Sequence, residues 1–220
     1  MDAVLLKLLT DGINRIDSSL CTDGTVKRLS RLYDEISLFN PRYGLVNAEG
    51  RDLVIRHILD CLAPWPLIRE SSGEGCLRMA DLGSGAGLPG LVLASVAKDW
   101  EISLVERMGR RAGFLRNTCA VMGLSKSVQV VQKDLSEVRE AYDVITFRAF
   151  RQFKDIVSDL DRILAPGGKI FAYKSSEENI RSETEVLESY TGCTFGTVIR
   201  DYDVPMLDAK RCLMVISKRN

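Results

Sequence analysis

The chain has 220 residues, of which 45% are hydrophobic and 27% are charged, as in a globular protein with one domain or slightly more. These proportions exclude a disordered chain, a collagen-like repeat and a coiled-coil array. Thirty Lys and Arg residues balance thirty Asp and Glu residues, so net charge neither indicates nor excludes a nucleic-acid partner, because binding needs only a local basic patch.

The first 70 residues have the apolar spacing of helices. Apolar positions recur at three- and four-residue steps in two series, Leu29, Leu32, Tyr33, Ile36 and Phe39, and then Leu53, Val54, His57, Ile58 and Cys61. We expect Pro41 to end the first of these helices and Pro64 and Pro66 to stop the second. Residues 71–75 have the composition of a linker. The sequence therefore predicts an N-terminal helical region over residues 1–70.

From residue 77 onwards, short apolar runs alternate with amphipathic ones. The predicted strands are Leu77–Leu82, Ile102–Glu106, Val128–Gln132, Val144–Phe147, Lys169–Tyr173, Phe195–Asp203 and Cys212–Ser217. The predicted helices are Pro89–Ala97, Arg110–Met122, Phe153–Leu164 and Thr184–Tyr190. This alternation predicts right-handed crossovers and a mostly parallel seven-stranded sheet, and the short final link predicts an antiparallel hairpin at one edge. The expected fold is an α/β, Rossmann-like domain over residues 71–220.

A glycine-rich loop follows the first predicted strand. Asp81 ends that strand, and glycines alternate after it at Gly83, Gly85 and Gly87. Glycines at the carboxyl edge of a parallel sheet let a ligand approach the backbone closely. The spacing Gly-x-Gly-x-x-Gly over residues 85–90 matches the dinucleotide fingerprint, but it begins too far beyond the strand end. A carboxylate facing the loop also suits a cationic ligand better than a pyrophosphate.

A second acidic residue ends the second predicted strand. Glu106 at this place can accept hydrogen bonds from both ribose hydroxyls of an adenosine. The two acids and the glycines between them fit S-adenosylmethionine well and NAD in part. The glycine loop alone, or Glu106 alone, would be weak evidence for a cofactor site. The alternative interpretation is therefore a tight turn followed by a surface glutamate.

If the ligand is S-adenosylmethionine, the residues at the ends of the later predicted strands limit which kinds of methyl transfer the chain could catalyse. Methylation of exocyclic amines commonly uses an Asn/Asp-Pro-Pro-aromatic run after the fourth strand, where residues 146–150 read Thr-Phe-Arg-Ala-Phe. Methylation of pyrimidine carbon 5 needs a cysteine nucleophile, and no cysteine lies near that strand or the end of the next one. Guanine N7 has a free lone pair, so its methylation can depend on positioning alone. The absence of an evident base is consistent with N7 transfer and equally with no catalysis.

Several short motifs occur together in chain order. They are Arg56-His57-Ile58-Leu59-Asp60, the run from Asp81 to Gly90, Glu106 followed by Arg110-Arg111 and Phe114-Leu115, Arg148-Ala149, Pro166-Gly167-Gly168 and Lys174. Over about residues 25–218 the chain thereby resembles the GidB family of ribosomal RNA small-subunit methyltransferases. The resemblance implies a class I methyltransferase fold behind an N-terminal helical region. It also implies methyl transfer from S-adenosylmethionine to N7 of a guanine in the decoding-region loop of 16S ribosomal RNA.

The resemblance also implies cofactor-binding positions. In the family these match Gly83, Leu88, the pair Leu135-Ser136 and Arg148, with the acid matching Glu106 at the ribose. The loop itself adds Asp81, Gly85 and Gly87 as candidates. The chain departs from the family pattern at Gly44-Leu45-Val46, Asp60-Cys61, Asp134-Leu135-Ser136 and Lys174-Ser175. The backbone at 135–136 can still hold an adenine, so we expect cofactor binding to survive, while the lost side chains bear on affinity and substrate fit.

Basic residues supply the candidate RNA contacts. The candidates are Arg56, His57, Arg110, Arg111, Lys174 and Arg211. Arg148 and Lys174 each end a strand at the ligand edge, so they are the candidates for positioning the reactants, with surface salt bridges as the alternative. The arginines near residue 110 could equally form a solvated helix face. His57 could instead be a hydrogen-bonded histidine that holds the N-terminal region against the sheet.

Two aromatic residues flank Arg148. Core packing is the simpler interpretation of Phe147 and Phe150, and stacking of one of them on a flipped guanine is the alternative.

The sequence thus predicts an S-adenosylmethionine-dependent guanine-N7 methyltransferase of 16S ribosomal RNA or the small ribosomal subunit. The alternatives are a methyltransferase for another RNA or a small molecule, an NAD-dependent oxidoreductase, and a ribosome-associated module without turnover. Six scattered cysteines without a Cys-x-x-Cys pair and a single histidine predict free thiols and no metal site. No apolar run suits a signal peptide or a bilayer span, so we expect a cytoplasmic monomer without a membrane partner.

Overall fold

The computed structural model describes residues 1–174 and 177–219, so Ser175, one departure from the GidB pattern, lies outside the described residues. The N-terminal helices are α1 (Ala3–Ile16), α2 (Asp23–Tyr43), α3 (Gly50–Leu53), α4 (Asp60–Leu62) and α5 (Trp65–Ser72). A 3-10 turn (Ser18–Leu20) joins α1 to α2, and a π-helical segment (Val54–Leu59) joins α3 to α4. The predicted helical character of this region is confirmed.

The predicted end of α2 at Pro41 is wrong by two residues. The helix continues through Pro41 to Tyr43 and ends at Gly44, which has a left-handed φ of +57°. The Gly44 N–H donates to Asn40 O at 2.9 Å, so the last turn is closed by a glycine cap. The glycine cap, and not the proline, therefore ends the helix.

The prediction for Pro66 is also wrong, and the predicted linker at residues 71–75 is confirmed only from residue 73 onwards. Pro66 lies in the first turn of α5, where the missing N–H of proline removes no hydrogen bond. That helix continues to Ser72, so the connection to the sheet begins only at Gly73. Pro64 does stand at the break between α4 and α5, as expected.

The sheet has the predicted architecture. Its strands are β1 (Arg78–Leu82), β2 (Glu101–Val105), β3 (Val128–Val131), β4 (Tyr142–Arg148), β5 (Leu164–Lys174), β6 (Thr194–Tyr202) and β7 (Arg211–Arg219). The strand order is β3-β2-β1-β4-β5-β7-β6, and β7 runs antiparallel between β5 and β6. The seven-stranded, mostly parallel sheet with an antiparallel C-terminal hairpin is confirmed. The order reverses between β1 and β4, which places a ligand crevice at the carboxyl ends of these strands.

The remaining helices are α6 (Gly90–Ala94), α7 (Gly109–Met122), α8 (Phe153–Ile163) and α9 (Glu177–Ser189). Helix α9 begins at Glu177 instead of Thr184, because its first half is polar and shows no apolar period. Strand β5 begins at Leu164 instead of Lys169, and its register with β4 shifts to accommodate the Pro-Gly-Gly run at 166–168. In the described ranges, no helix combines the length and hydrophobicity that a bilayer span requires.

Both faces of the central strands are covered, which agrees with the almost complete burial of β1, β2 and β4. The N-terminal helices pack with α6 and α7 against one face, and α8 and α9 cover the other. Leu29 and Ile58 belong to the same buried cluster as Phe171 and Leu213 of the sheet. The core thus crosses the predicted boundary near residue 70, and the division into two domains stays a prediction.

Candidate functional site

The loop after β1 has a backbone that glycine adopts most easily. Gly83 and Gly85 have φ angles of +69° and +54°, in the left-handed region that a side chain disfavours. The Gly83 N–H donates to Val105 O at 2.9 Å, which joins the loop to the end of β2. A Cβ on Gly85 would have Gly83 O, 3.7 Å away, as its nearest neighbour. The loop therefore leaves open space beside Gly85, and Gly87 and the buried Leu88 complete it before α6.

Asp81 is fully buried beneath this loop. Its Oδ2 accepts a hydrogen bond from the Gly90 N–H at 3.0 Å, which fixes the start of α6. Its Oδ1 is buried and has no hydrogen-bond partner among the described residues. Burial raises the pKa of Asp81 to about 7, although the bond from Gly90 acts in the opposite direction. A positively charged ligand beside the loop would stabilise the ionised carboxylate.

Glu106 lies one residue beyond β2 and is also buried. Its Oε2 accepts from the Gly85 N–H at 3.1 Å, and its Oε1 accepts from the Met108 N–H at 2.8 Å. These bonds use two of the roughly four acceptor positions of a carboxylate. Glu106 therefore holds the glycine loop in place and keeps acceptor capacity for the ribose hydroxyls that the sequence predicts.

The third part of the site is the 3-10 turn that follows β3, Leu135–Glu137. Asp134 caps this turn by accepting from the Ser136 N–H at 3.2 Å, and the Leu135 side chain is buried. Asp134 also forms an ion pair with Arg151, which follows β4. The hydrogen bond from Arg151 lowers the pKa of Asp134 to about 2. The departure from the family at Asp134 thus gives this turn a cap and a cross-connection, next to the other predicted cofactor residues.

Arg148, at the end of β4, contacts the N-terminal helices. Its Nη1 donates to Asp60 Oδ2 at 2.9 Å and to Arg56 O at 3.2 Å, and its Nη2 lies 2.8 Å from His57 Nδ1. The π-helical segment Val54–Leu59 places these groups side by side, and such turns occur often at functional sites. Burial, followed by the charge of Arg148, lowers the pKa of His57 to about 4, so Nδ1 can accept from the guanidinium at neutral pH. A cofactor contact by Arg148 stays a prediction.

Asp60 joins Arg148 to a second arginine. Arg211 Nε donates to Asp60 Oδ1 at 3.1 Å, and Asp60 is only 5% exposed. Burial raises the pKa of Asp60, and the two guanidinium groups oppose that rise. The sequence shows Asp60 only as part of a family motif. The sequence does not reveal the ion pairs of Asp60, because Arg148 and Arg211 are 88 and 151 positions away along the chain.

A cavity of about 560 Å³ opens beside these residues, at the carboxyl ends of β4 and β5. Its cationic lining consists of Arg56, Arg148, Arg151, Lys154, Lys174 and Arg211. Lys174 Nζ lies 2.7 Å from Glu183 Oε1 and 5.0 Å from the centroid of the Phe153 ring. Three of the predicted RNA-contacting residues, Arg56, Lys174 and Arg211, therefore come together here, and a fourth, His57, contacts Arg148.

Arg110 and Arg111 do not line this cavity. They lie in the first turn of α7, where Arg110 is exposed and Arg111 is half-buried. The Arg110 guanidinium lies over the Tyr43 ring, with 5.7 Å between Cζ and the ring centroid. This pair therefore belongs to a different part of the surface from the cavity, because α7 follows β2 and not β4 or β5. Its contact with RNA stays a prediction.

The sequence matches a known protein family over most of its length. Residues 25–212 match the GidB family, described as rRNA small subunit methyltransferase G. The chain belongs to the GidB family. The matched range contains the glycine loop, both buried acids and the residues that line the cavity.

Relatives of the GidB family cover nearly the whole chain. The ribosomal RNA small subunit methyltransferase G of Borrelia turicatae is 35% identical over 76% of this chain and 80% of its own. The protein of the same name from Burkholderia multivorans is 33% identical over 97% of this chain and 92% of its own. The recognition of the family from its motifs is confirmed.

Solved structures support the fold. A putative S-adenosyl-L-methionine-dependent methyltransferase from Methanococcus maripaludis superposes with a TM-score of 0.59 at 16% identity, covering 86% of this chain and 92% of its own. The ribosomal protein L11 methylase from Lactobacillus delbrueckii gives a TM-score of 0.57 at 15% identity, covering 80% of this chain and 83% of its own. At these identities the likeness shows the class I methyltransferase fold alone.

Proposed function

We propose that this GidB-family chain transfers a methyl group from S-adenosylmethionine to N7 of a guanine in 16S ribosomal RNA, in the decoding-region loop. The observation that carries the proposal is the division of one sheet edge into two chemically distinct halves. Buried carboxyl groups and glycine backbone lie at β1 and β2, and a cavity with a cationic lining lies at β4 and β5. The first half suits a cationic cofactor, and the second suits an anionic RNA.

The first half fits S-adenosylmethionine. The unpaired Asp81 Oδ1 suits a positively charged ligand, and the remaining acceptor positions of Glu106 suit its ribose hydroxyls. The open space beside Gly85 leaves room for the ligand. We assign the adenine to the turn at 135–136, in keeping with the family resemblance. The residues that would hold the cofactor are Asp81, Gly83, Gly85, Gly87, Leu88, Glu106, Leu135, Ser136 and Arg148. When bound, S-adenosylmethionine supplies a methyl group that is activated by its positively charged sulfur.

The same half argues against NAD. A pyrophosphate beside the loop would lie near two buried carboxyl groups, Asp81 and Glu106, and like charges repel. The Gly-x-Gly-x-x-Gly match also falls where Gly90 packs directly on the Asp81 side chain, because a Cβ there would be 2.5 Å from Oδ2. Close packing at the third glycine occurs in the dinucleotide fingerprint as well, so it is the two carboxyl groups that argue against NAD.

In the second half, Arg148 and Lys174 are proposed to position the acceptor. Donor groups such as these suit guanine O6 and phosphate oxygens. The N7 lone pair needs no base to remove a proton, so alignment of the two reactants can supply the catalysis. Arg56, His57 and Arg211 extend this surface at the cavity, and Arg110 and Arg111 supply a separate basic patch beside the glycine loop.

The test is transfer of labelled methyl from S-adenosylmethionine to small-subunit ribosomal RNA and to intact subunits, both from cells that lack this protein. The RNA is then digested and its nucleosides are identified. We expect labelled 7-methylguanosine. Label in another nucleoside would overturn the N7 assignment. No label, from protein that still binds the cofactor, would favour a non-catalytic ribosome-associated module or a different substrate.

A further inference from the structure

Phe150 lies at the boundary between the two halves of the site. Its ring packs on Gly83, so that a Cβ on Gly83 would be only 2.3 Å from the ring. The same residue lines the cavity at β4 and β5. A methyl donor at the glycine loop and an acceptor in the cavity would therefore meet beside this ring.

The segment that carries Phe150 is fixed at both ends. On one side, Arg148 is held by Asp60 at 2.9 Å. On the other side, Arg151 pairs with Asp134 and its Cζ lies 5.5 Å from the centroid of the Phe150 ring. Between them Ala149 has a φ of +50°, which is unusual for a residue with a side chain. A left-handed alanine persists only where its surroundings hold it, and here it directs Phe150 back over the loop.

Phe150 also differs from the other aromatic residues of the cavity. The remaining four are Phe147, Phe153, Tyr173 and Tyr202, and all of them are buried. Phe150 is half-buried, with the Arg151 guanidinium over its ring, so it is accessible from the cavity where these four rings are not. Aromatic rings of this kind are the usual platforms on which proteins stack unpaired bases.

We infer that Phe150 is the residue on which the acceptor base stacks when it meets the methyl donor. This inference rests on the proposed function and adds a residue to it. Transfer to N7 leaves a positive charge on the purine, and the electron-rich face of a phenyl ring favours such a charge. The ring would therefore stabilise the acceptor more as the methyl transfers, which is the condition for faster catalysis. The free energy of stacking corresponds to about a 10- to 100-fold effect for one base.

The test is a substitution series at this position, Phe150→Tyr, Phe150→Leu and Phe150→Ala, with small ribosomal subunits as substrate. We expect kcat/KM for RNA to stay within about twofold in the tyrosine variant, and to fall about 10- to 100-fold in the leucine and alanine variants. Binding of S-adenosylmethionine, measured by calorimetry without RNA, is expected to be unchanged, because the contacts of Glu106 with Gly85 and of Asp81 with Gly90 still hold the cofactor loop. Thermal unfolding of each variant controls for folding.

Two results would overturn the inference. Full activity of Phe150→Leu would show that only apolar bulk is needed. A loss of cofactor affinity that equals the loss of activity would show that the ring lines the cofactor pocket and does not contact the acceptor base. The matched control is Tyr190→Ala, which removes a half-buried ring stacked on Phe195 away from the cavity and should leave kcat/KM unchanged. An inactive wild-type protein would instead reject the proposed function, and this inference with it.

Discussion

The two halves of the carboxyl edge are built in different ways. At β1 and β2, the contacts are local, because Asp81 bonds Gly90 and Glu106 bonds Gly85 and Met108 within one β-α-β unit. At β4 and β5, the contacts join side chains from distant parts of the chain, since Asp60 pairs with Arg148 and Arg211. The first half is held by backbone N–H groups and presents acceptors, and the second is held by ion pairs and presents donors.

This difference indicates how the carboxyl edge of one sheet could bind both a cationic cofactor and an anionic RNA. In the first half, backbone N–H groups bond the two acids and leave Asp81 Oδ1 without a partner among the described residues. In the second half, one buried carboxylate pairs with two arginines. The N-terminal helices supply that carboxylate, so they complete the second half of the site. A substitution in the first half should therefore lower mainly the affinity for the cofactor. A substitution in the second half should lower mainly the stability and the rate of methyl transfer.

The largest expected effect is in the first half. Gly85→Val should lower the affinity for S-adenosylmethionine by more than about 100-fold, because the new side chain fills the open space beside the loop. The left-handed φ of +54° should also reduce the free energy of unfolding by about 1–2 kcal/mol. Calorimetric titration measures the affinity, and urea denaturation measures the stability.

The matched control for this variant is Gly123→Val. Gly123 has a φ of +71° with no atom within 4 Å of a Cβ, and it lies at the C-terminal end of α7, away from the loop. Its variant should have the same stability loss with unchanged cofactor affinity. Equal losses of affinity in both variants would show that destabilisation, and not the ligand space, causes the effect.

The next effect tests the second half. Asp60→Asn removes the charge between Arg148 and Arg211 and should lower the free energy of unfolding by about 3 kcal/mol, as for a broken buried ion pair. Methyl transfer should fall with it, and cofactor affinity should fall much less than in Gly85→Val, because Arg148 is the proposed cofactor residue that Asp60 contacts. Denaturation in urea and calorimetry separate the two quantities.

Asp52→Asn is the control for Asp60→Asn. Asp52 is 64% exposed and pairs with Arg56 at 3.4 Å within the same helical run, so its loss should cost about 0.5 kcal/mol or less. If the two variants were equally stable, Asp60 would not be what holds the cationic half together.

The same contrast explains what the sequence could predict. Asp81, the glycines and Glu106 are recognisable because strand ends and turns are encoded by neighbouring residues. Arg148 and Arg211 are recognisable singly, but Asp60 as their common partner is not, since a single sequence carries no signal for contacts made by folding. Some predicted helix ends were wrong for a related reason. A proline commonly ends a helix, but α2 continues through Pro41 and ends where Gly44 caps it.

A smaller effect concerns pH and Asp81. An unfolded aspartate ionises near pH 3.8, whereas burial holds the folded-state pKa at about 7. The folded protein keeps its proton between these values, so this residue stabilises the fold at low pH and the contribution is lost as pH rises towards 7. The stability difference between wild type and Asp81→Asn should therefore fall by about 2 kcal/mol from pH 5 to pH 7. Titration of His57 occurs in both proteins and cancels in the difference.

Denaturation curves of both proteins at several pH values measure this change. Addition of saturating S-adenosylmethionine sharpens the comparison, because a cation beside Asp81 favours its ionised form and should flatten the pH dependence. A flat difference without the cofactor would mean that the carboxyl titrates normally, and the cationic-ligand interpretation of Oδ1 would lose its support.

The smallest expected effect tests whether the basic patch beside the glycine loop, Arg110 and Arg111, contributes to RNA binding in addition to the cavity. Arg110→Ala should weaken binding to small-subunit ribosomal RNA about threefold at moderate salt and lower the slope of log affinity against log salt by about 1, as for one lost phosphate contact. The control is Lys126→Ala, which removes an exposed cation before β3 at the opposite edge of the sheet and should leave the slope unchanged. Equal slopes for wild type and Arg110→Ala would assign this arginine to a solvated helix face above Tyr43. RNA binding would then depend on the cationic cavity alone, the half of the site that the N-terminal helices complete.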